Sequence, residues 1–291
     1  MSASPAVAAR ERRFELPGLS LAAAEWGEPP GVPVLAAHGW LDNAGSFDLL
    51  APLLRGCHLV SLDLAGHGAS DFRSPDAAYS LWQDVGDLLE AAEQLQWPRL
   101  NLLGHSRGAA IATLFAATFP ERVAKLVLLE GGLPFVGSAD DAPHALAKAL
   151  LDRRNLLGKS GRVFTDRATA IDERAAGFSK VSRAAAEILA RRSLEQVPGG
   201  FRWRADQRLK GASEIKLTED HVRAFVRNVR APVLMILAED SPFRELALYR
   251  EMTAEFRSIE AVRLPGGHHF HLEGAETEIA ARVLRFLSTD A

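Results

Sequence analysis

"LNLLGHSRGAAIATLF", Leu100 to Phe115, joins an apolar run to an alanine-rich segment through Gly104-His105-Ser106-Arg107-Gly108. A hairpin turn would be more polar, and a plain loop has no use for glycines two residues before and two after a serine. The pattern is G-x-S-x-G between a predicted strand and a predicted helix. In that context a serine at the tip of a strained strand-to-helix turn presents its hydroxyl as a nucleophile. Neighbouring segments crowd so tight a bend, and glycine removes the β-carbons that would clash. Ala109 and Ala110 continue the small surface where the helix packs back on the strand. The helix N-terminus beneath the serine favours negative charge developing there.

Outward from this turn, short Val-, Leu- and Ile-rich runs recur: Pro33–Ala37, Cys57–Leu64, Leu100–His105, Ala124–Glu130, Pro232–Ala238 and Glu260–Gly266. None alternates cleanly between apolar and polar residues, as befits strands covered on both faces. Helix patterns lie between them: "SFDLLAPLL", "SLWQDVGDLLEAAEQLQ", "GAAIATLFAATF" and, near the end, "ETEIAARVLRFL". Phe14–Gly27 supplies an antiparallel edge hairpin. Repeated strand, helix, strand predicts an α/β fold, a mostly parallel central sheet with helices on both faces.

The alternation breaks between Gly131 and Arg230, where helix patterns such as "HALAKALLDRRNLL" and "SRAAAEILARRSL" dominate and strand signals are few. In residues 131–230, 19 Lys and Arg face 12 Asp and Glu; the remainder holds 15 against 25. The reading is a basic helical cap, residues 131–230, inserted after the sixth strand of an acidic core formed by residues 1–130 and 231–291. "GGFRWRADQRL" (Gly199–Leu209) reads as a cap loop in which Trp203 either faces the pocket or anchors the chain.

Composition narrows the rest. The chain has 291 residues, 47% apolar and 24% charged, with a net charge of -3. These are ordinary values for a globular protein, and no Lys/Arg run suggests nucleic acid. Cys57 is the one cysteine, expected buried and inert. The first residues, "MSASPAVAARERRFEL", carry no leader-like apolar stretch, and nothing approaches the ~20 apolar residues a membrane span needs. A cytoplasmic protein without membrane or nucleic-acid partners is expected; oligomeric state is not legible.

A serine needs a base to take its proton, and the candidates lie in "LPGGHHFHLEG" after the last strand. With "HGW", "GHSRG" and "GGHHFHLE" in this order, the chain resembles the α/β-hydrolase superfamily. The stretches His38–Leu54 and Leu62–Ser70, together with that ending, look most like the serine hydrolase-like group. In such families the base is the histidine three positions before the histidine of an H-L-E ending, which implies His268, with His269 as runner-up. His38, His67 and His105 read as loop- or turn-stabilising residues.

The acid that orients the histidine falls between serine and histidine in chain order. Two positions stay open. Glu130 ends its strand where the haloalkane dehalogenase branch places a glutamate, and it is preferred. Asp240 arrives one position early, with Ser241 in the expected place, and it is the alternative. The oxyanion hole is expected from the backbone N–H groups of Arg107 and Trp40, with Gly39, Trp40, His105 and Arg107 around the substrate pocket. The Arg107 side chain reads more as a salt-bridge partner than as a contact for an anionic substrate.

A serine cannot form the alkyl ester that dehalogenases and epoxide hydrolases require. The expected chemistry is therefore hydrolysis of a small-molecule ester or related acyl bond through an acyl-enzyme. A catalytically silent binding protein and a cofactor-free perhydrolase or haloperoxidase are the alternatives. No cofactor and no metal is expected.

Overall fold

The apolar runs become strands of one sheet, and the reason they do not alternate is visible at once: each strand feeds two cores. In the computed structural model, which describes residues 8–177, 180–241 and 247–289, eight strands line up in the order β1-β2-β4-β3-β5-β6-β10-β11. They are β1 (Arg10–Leu16), β2 (Leu19–Trp26), β3 (Val32–Ala37), β4 (Cys57–Leu62), β5 (Leu100–His105), β6 (Val123–Leu129), β10 (Val233–Ala238) and β11 (Ile259–Leu264). The β1–β2 hairpin and the β2–β4 pair are antiparallel, and the other pairs are parallel. Residues 1–7, where the leader was sought, lie outside the described residues.

Successive side chains of a strand point to opposite faces. Leu35, Leu102, Val233 and Met235 enter one core, shared with α1 (Leu81–Gln94), α2 (Arg107–Thr118), α6 (Glu219–Asn228) and α7 (Ala247–Thr253). Val34, Leu103, Leu234 and Ile236 enter the other, closed by α8 (Glu276–Ser288) and the Ala44–Phe47 turn. The parallel sheet with helices on both faces is therefore as expected. The "SFDLLAPLL" segment differs: it forms two short 3-10 turns, Ala44–Phe47 and Ala51–Leu53, in place of an α-helix. Asn43 caps the first through its side chain, accepting from Gly45 N–H, and Pro52 has no N–H to continue a helical ladder.

The segment between β6 and β10 contains α3 (Ala142–Leu156), α4 (Arg167–Ala176) and α5 (Arg183–Ser193), and also a small antiparallel sheet in the order β7-β9-β8. Its strands are β7 (Val163–Phe164), β8 (Leu194–Val197) and β9 (Gly200–Trp203). The reading of "GGFRWRADQRL" as a loop is thus corrected. Val197 pairs with Gly200 around the two residues Pro198 and Gly199, and Gly199 at φ +88° supplies the left-handed residue such a tight hairpin needs. Trp203 anchors it, donating its ring N–H to the Ala170 carbonyl at 3.0 Å. α6 packs apart from these elements: Val222 and Val226 enter the sheet's core with α2.

The charge asymmetry between the two units is used in contacts. Arg192 of α5 reaches down to Asp63, 2.9 Å away and fully buried, which also accepts from Ala44 and Ala69 N–H. Arg174 of α4 pairs with buried Asp42 at 2.8 Å. Asn43 donates to the Leu189 carbonyl, Trp40 to the Leu209 carbonyl, and Tyr79 to Asp206. Below the sheet, the nearly buried Lys125 ammonium of β6 donates to the carbonyls of Phe286, Leu287 and Thr289 at the end of α8. Among the described residues, no helix is long and apolar enough to cross a membrane.

Two glycines test how tightly this fold is packed. A β-carbon at Gly108 would sit 2.0 Å from the Ala37 carbonyl oxygen, whereas one at Gly86, inside α1, meets nothing within 4 Å. Gly108→Ala is expected to lower the melting temperature by roughly 3–10 °C. Gly86→Ala is expected to leave it unchanged or raise it by a few degrees through helix propensity. Thermal melts of the two variants check both outcomes.

Candidate active site

Ser106 stands between β5 and α2 with φ +52° and ψ -113°, a conformation that costs an L-residue on the order of 1–3 kcal/mol and survives only where the surroundings fix it. Here they do. Ser106 N–H donates to the Leu129 carbonyl at 2.9 Å. A β-carbon at Gly104 would lie 2.5 Å from Ala109 Cα, one at Gly108 2.0 Å from Ala37 O, and one at Gly131 2.9 Å from Ser106 O. The bend is thus pinched between the end of β3, the start of α2 and the end of β6. Ser106 keeps partial exposure at its tip.

His268 arrives from the loop after β11. Its Nε2 is 3.0 Å from Ser106 Oγ, and its side chain is 25% exposed, so the pair is reachable from solvent. The neighbours of His268 point inward: Phe270 is buried in the second core, and His271 Nε2 meets Ser46 Oγ at 2.9 Å. His105 donates from Nε2 to the His268 carbonyl at 2.9 Å. His269, the runner-up base, faces away from Ser106, with Nε2 3.2 Å from Asp42 Oδ2. The spacing rule thus selects the histidine that meets the serine.

Of the two carboxylates left open by the sequence, Glu130 is the one beside this ring. Its Oε1 lies 3.5 Å from His268 Nδ1, and the side chain is fully buried. Oε2 accepts from Ala238 N–H at 2.8 Å, and the backbone, at φ +48°, is held by Glu130 N–H donating to Ile236 O. Asp240 is exposed at the end of β10, where its N–H donates to the Gly266 carbonyl. The strand ends therefore aim Glu130 at the histidine and Asp240 at solvent.

His38, His67, His105 and His271 are buried, and burial disfavours their charged forms. Burial lowers the His38 pKa, and the ring is fixed between Gly39 O, which accepts from Nδ1, and Leu64 N–H, which donates to Nε2. Burial likewise holds His67 well below its ordinary value and takes His271 down to about 3. His105 is also depressed, first by burial and then by the histidines around it. Expected among the pocket residues, His105 is fully buried instead; its ring is walled in by His268, His269 and His271. Gly39 is buried as well, its missing β-carbon 3.0 Å from both Asp42 Oδ2 and His105 Nδ1. Trp40 is half-buried, its ring N–H donating to the Leu209 carbonyl. The Arg107 guanidinium turns to α1, 2.5 Å from Asp84 Oδ2, the salt-bridge reading of that residue.

His105, His268 and His269 bring ring nitrogens within 4.8 Å of one another. Tetrahedral zinc nitrogens lie nearer, about 3.4 Å apart for bonds of ~2.05 Å. One nitrogen of each ring is also committed, to the His268 carbonyl, Ser106 and Asp42 respectively. Sequence reasoning did not single out Asp42, Asp84 or Arg174. Asp42 lies four residues after His38 in "HGWLDN", but nothing in that string signals a buried, shared carboxylate.

Comparison with known proteins identifies the family. The family model described as "alpha/beta hydrolase fold" matches residues 32–275. A serine hydrolase-like protein of Danio rerio is 32% identical over 287 residues, 92% of this chain and 86% of that protein. The crystal structure of a hypothetical protein from Pseudomonas aeruginosa PAO1 superimposes with a TM-score of 0.92 at 44% identity, covering 96% of this chain and 99% of that one. The thioesterase domain from the curacin biosynthetic pathway gives 0.84 at 25% identity, with 96% and 99% covered. The chain belongs to the alpha/beta hydrolase fold family and, within it, groups with the serine hydrolase-like proteins.

Proposed function

We propose that the chain is a serine hydrolase that cleaves a carboxylic ester, or a related acyl bond, of a small molecule through an acyl-enzyme. The observation that carries this reading is the 3.0 Å contact of Ser106 Oγ with His268 Nε2, backed by a buried carboxylate on the ring's far side. Glu130 beside Nδ1 favours the tautomer with its proton there, which leaves the Nε2 lone pair for the serine.

In this mechanism Ser106 Oγ attacks the acyl carbon while Nε2 takes its proton, and Glu130 stabilises the imidazolium. The tetrahedral intermediate collapses, and the leaving alkoxide departs with the proton from Nε2. Water, deprotonated by the same nitrogen, attacks the acyl-enzyme and releases the acid, restoring Ser106. The N–H groups of Arg107 and Trp40 are the proposed oxyanion donors. The first belongs to the unpaired opening turn of α2, and the second sits on the loop whose residues 37 and 38 touch that turn. Each such donor lowers the barrier by about 3 kcal/mol.

The likeness to a thioesterase domain supports thioesters within the same acyl class. The Arg107 guanidinium, held by Asp84, gives no support to an anionic substrate group. The silent-protein reading drew on the misplaced Asp240, and Glu130 at His268 removes that ground.

A fluorophosphonate probe is expected to label the wild-type protein and not Ser106→Ala. On a panel of p-nitrophenyl esters of graded acyl length, Ser106→Ala should lose at least about 10³-fold in kcat. A folded wild-type protein that resists the probe sinks the hydrolase assignment. For the acid, Glu130→Gln should lower kcat by about 10³–10⁴-fold, while Asp240→Asn stays within about twofold of wild type. Steady-state kinetics decide, and the reverse order moves the role to Asp240.

A further inference from the structure

We infer that Asp42 is a positioning residue for the Ser106–His268 pair: one buried carboxylate that ties the histidine loop to the Trp40 loop and to α4. The inference rests on the hydrolase reading above. Asp42 is 2% exposed and touches no atom proposed to react. Its two oxygens divide the work. Oδ2 lies 3.2 Å from His269 Nε2 and 3.7 Å from His105 Nδ1; Oδ1 accepts from Arg174 Nη2 at 2.8 Å.

The backbone aims it there. Leu41 takes φ +60°, and Asp42 N–H closes the turn onto the Gly39 carbonyl, so the side chain points beneath the loop that carries Trp40. Burial by itself would push the Asp42 carboxyl upward. The contact with His269 first, and then the Arg174 guanidinium, outweigh it and hold the carboxyl well below its ordinary value. A buried charge of this kind tolerates little displacement, because each lost partner leaves it uncompensated.

What the carboxylate fixes is the residue next to the base. His269 directly follows His268. His105 directly precedes Ser106 and also grips the His268 carbonyl. The anion therefore holds the histidine loop through His269, and that loop is in turn held to the end of β5 through the His105–His268 contact. Arg174 makes the arrangement conditional on a seated α4.

The test compares Asp42→Asn, Arg174→Met and the double variant by kinetics and thermal melting, with crystal structures of wild type and Asp42→Asn. Asp42→Asn is expected to lower kcat about 10–100-fold, since displacements near 1 Å cost up to ~10²-fold, while KM stays within about threefold. Adding Arg174→Met removes the stranded cation and should restore melting temperature without restoring kcat; a purely structural role would return both together. The crystal structures should show the Ser106–His268 contact intact in wild type and lengthened in Asp42→Asn. Wild-type kcat in Asp42→Asn, or an unmoved His268, overturns the inference. A wild type that neither labels nor turns over ends the hydrolase reading, and the crystallographic comparison still decides the role of Asp42. Should Asp42→Asn fail to fold, His269→Asn keeps the Asp42–Arg174 pair and cuts the tie to the histidine loop, with the same expected losses.

Discussion

Three chain segments meet at van der Waals distance around residue 106, and they meet only because residues 104, 108 and 131 lack side chains. The β-carbon missing at Gly108 would overlap the Ala37 carbonyl, and that at Gly104 the start of α2. Remove this closeness and β3, β5, β6 and α2 must spread, with consequences for every group at the strand tips. The loop that bears Trp40 leaves the helix terminus, Glu130 leaves the histidine, and the strained Ser106 backbone relaxes. Close packing of small residues is thus the cause, and the alignment of hydroxyl, imidazole and carboxylate is its result.

How much of this was legible follows the same logic. The turn advertised itself because sterics demand glycine at fixed offsets from the serine, and such demands survive in a string of letters. The strands were legible because burial on both faces suppresses alternation, as the two cores fed by Val34/Leu35 and Leu234/Met235 illustrate. The choice between Glu130 and Asp240 was not fixed by letters. It depends on which way two adjacent strand ends point, a matter of register and of the left-handed backbone at Glu130. The hairpin of Leu194–Trp203 was hidden for another reason: its strands, LEQV and GFRW, are four residues each, too short for a periodic pattern to stand out. Asp42 was invisible because it is polar in sequence and buried in space.

Two basic residues of the 131–230 stretch meet buried carboxylates of the rest of the chain. Arg174 and Arg192 lie over Asp42 and Asp63, carboxylates that would otherwise be buried without a counter-charge. Such pairs add little net stability against an apolar alternative, yet they punish misalignment. Their contribution is registry between the two units. α4 and α5 are thus held by these directional bonds as well as by the apolar cluster in which Ile171 and Leu189 meet Leu272.

β6 carries a charge at each end of its run. Lys125 at its base holds the carbonyls that finish α8, and Glu130 follows its tip. Five residues of strand span about 16 Å, so the last helical turn of the fold and the carboxylate of the site are moored to a single rigid rod. Shortening α8 would take away the carbonyls that hold Lys125, and the disturbance would travel along the backbone to Glu130 without crossing any loop.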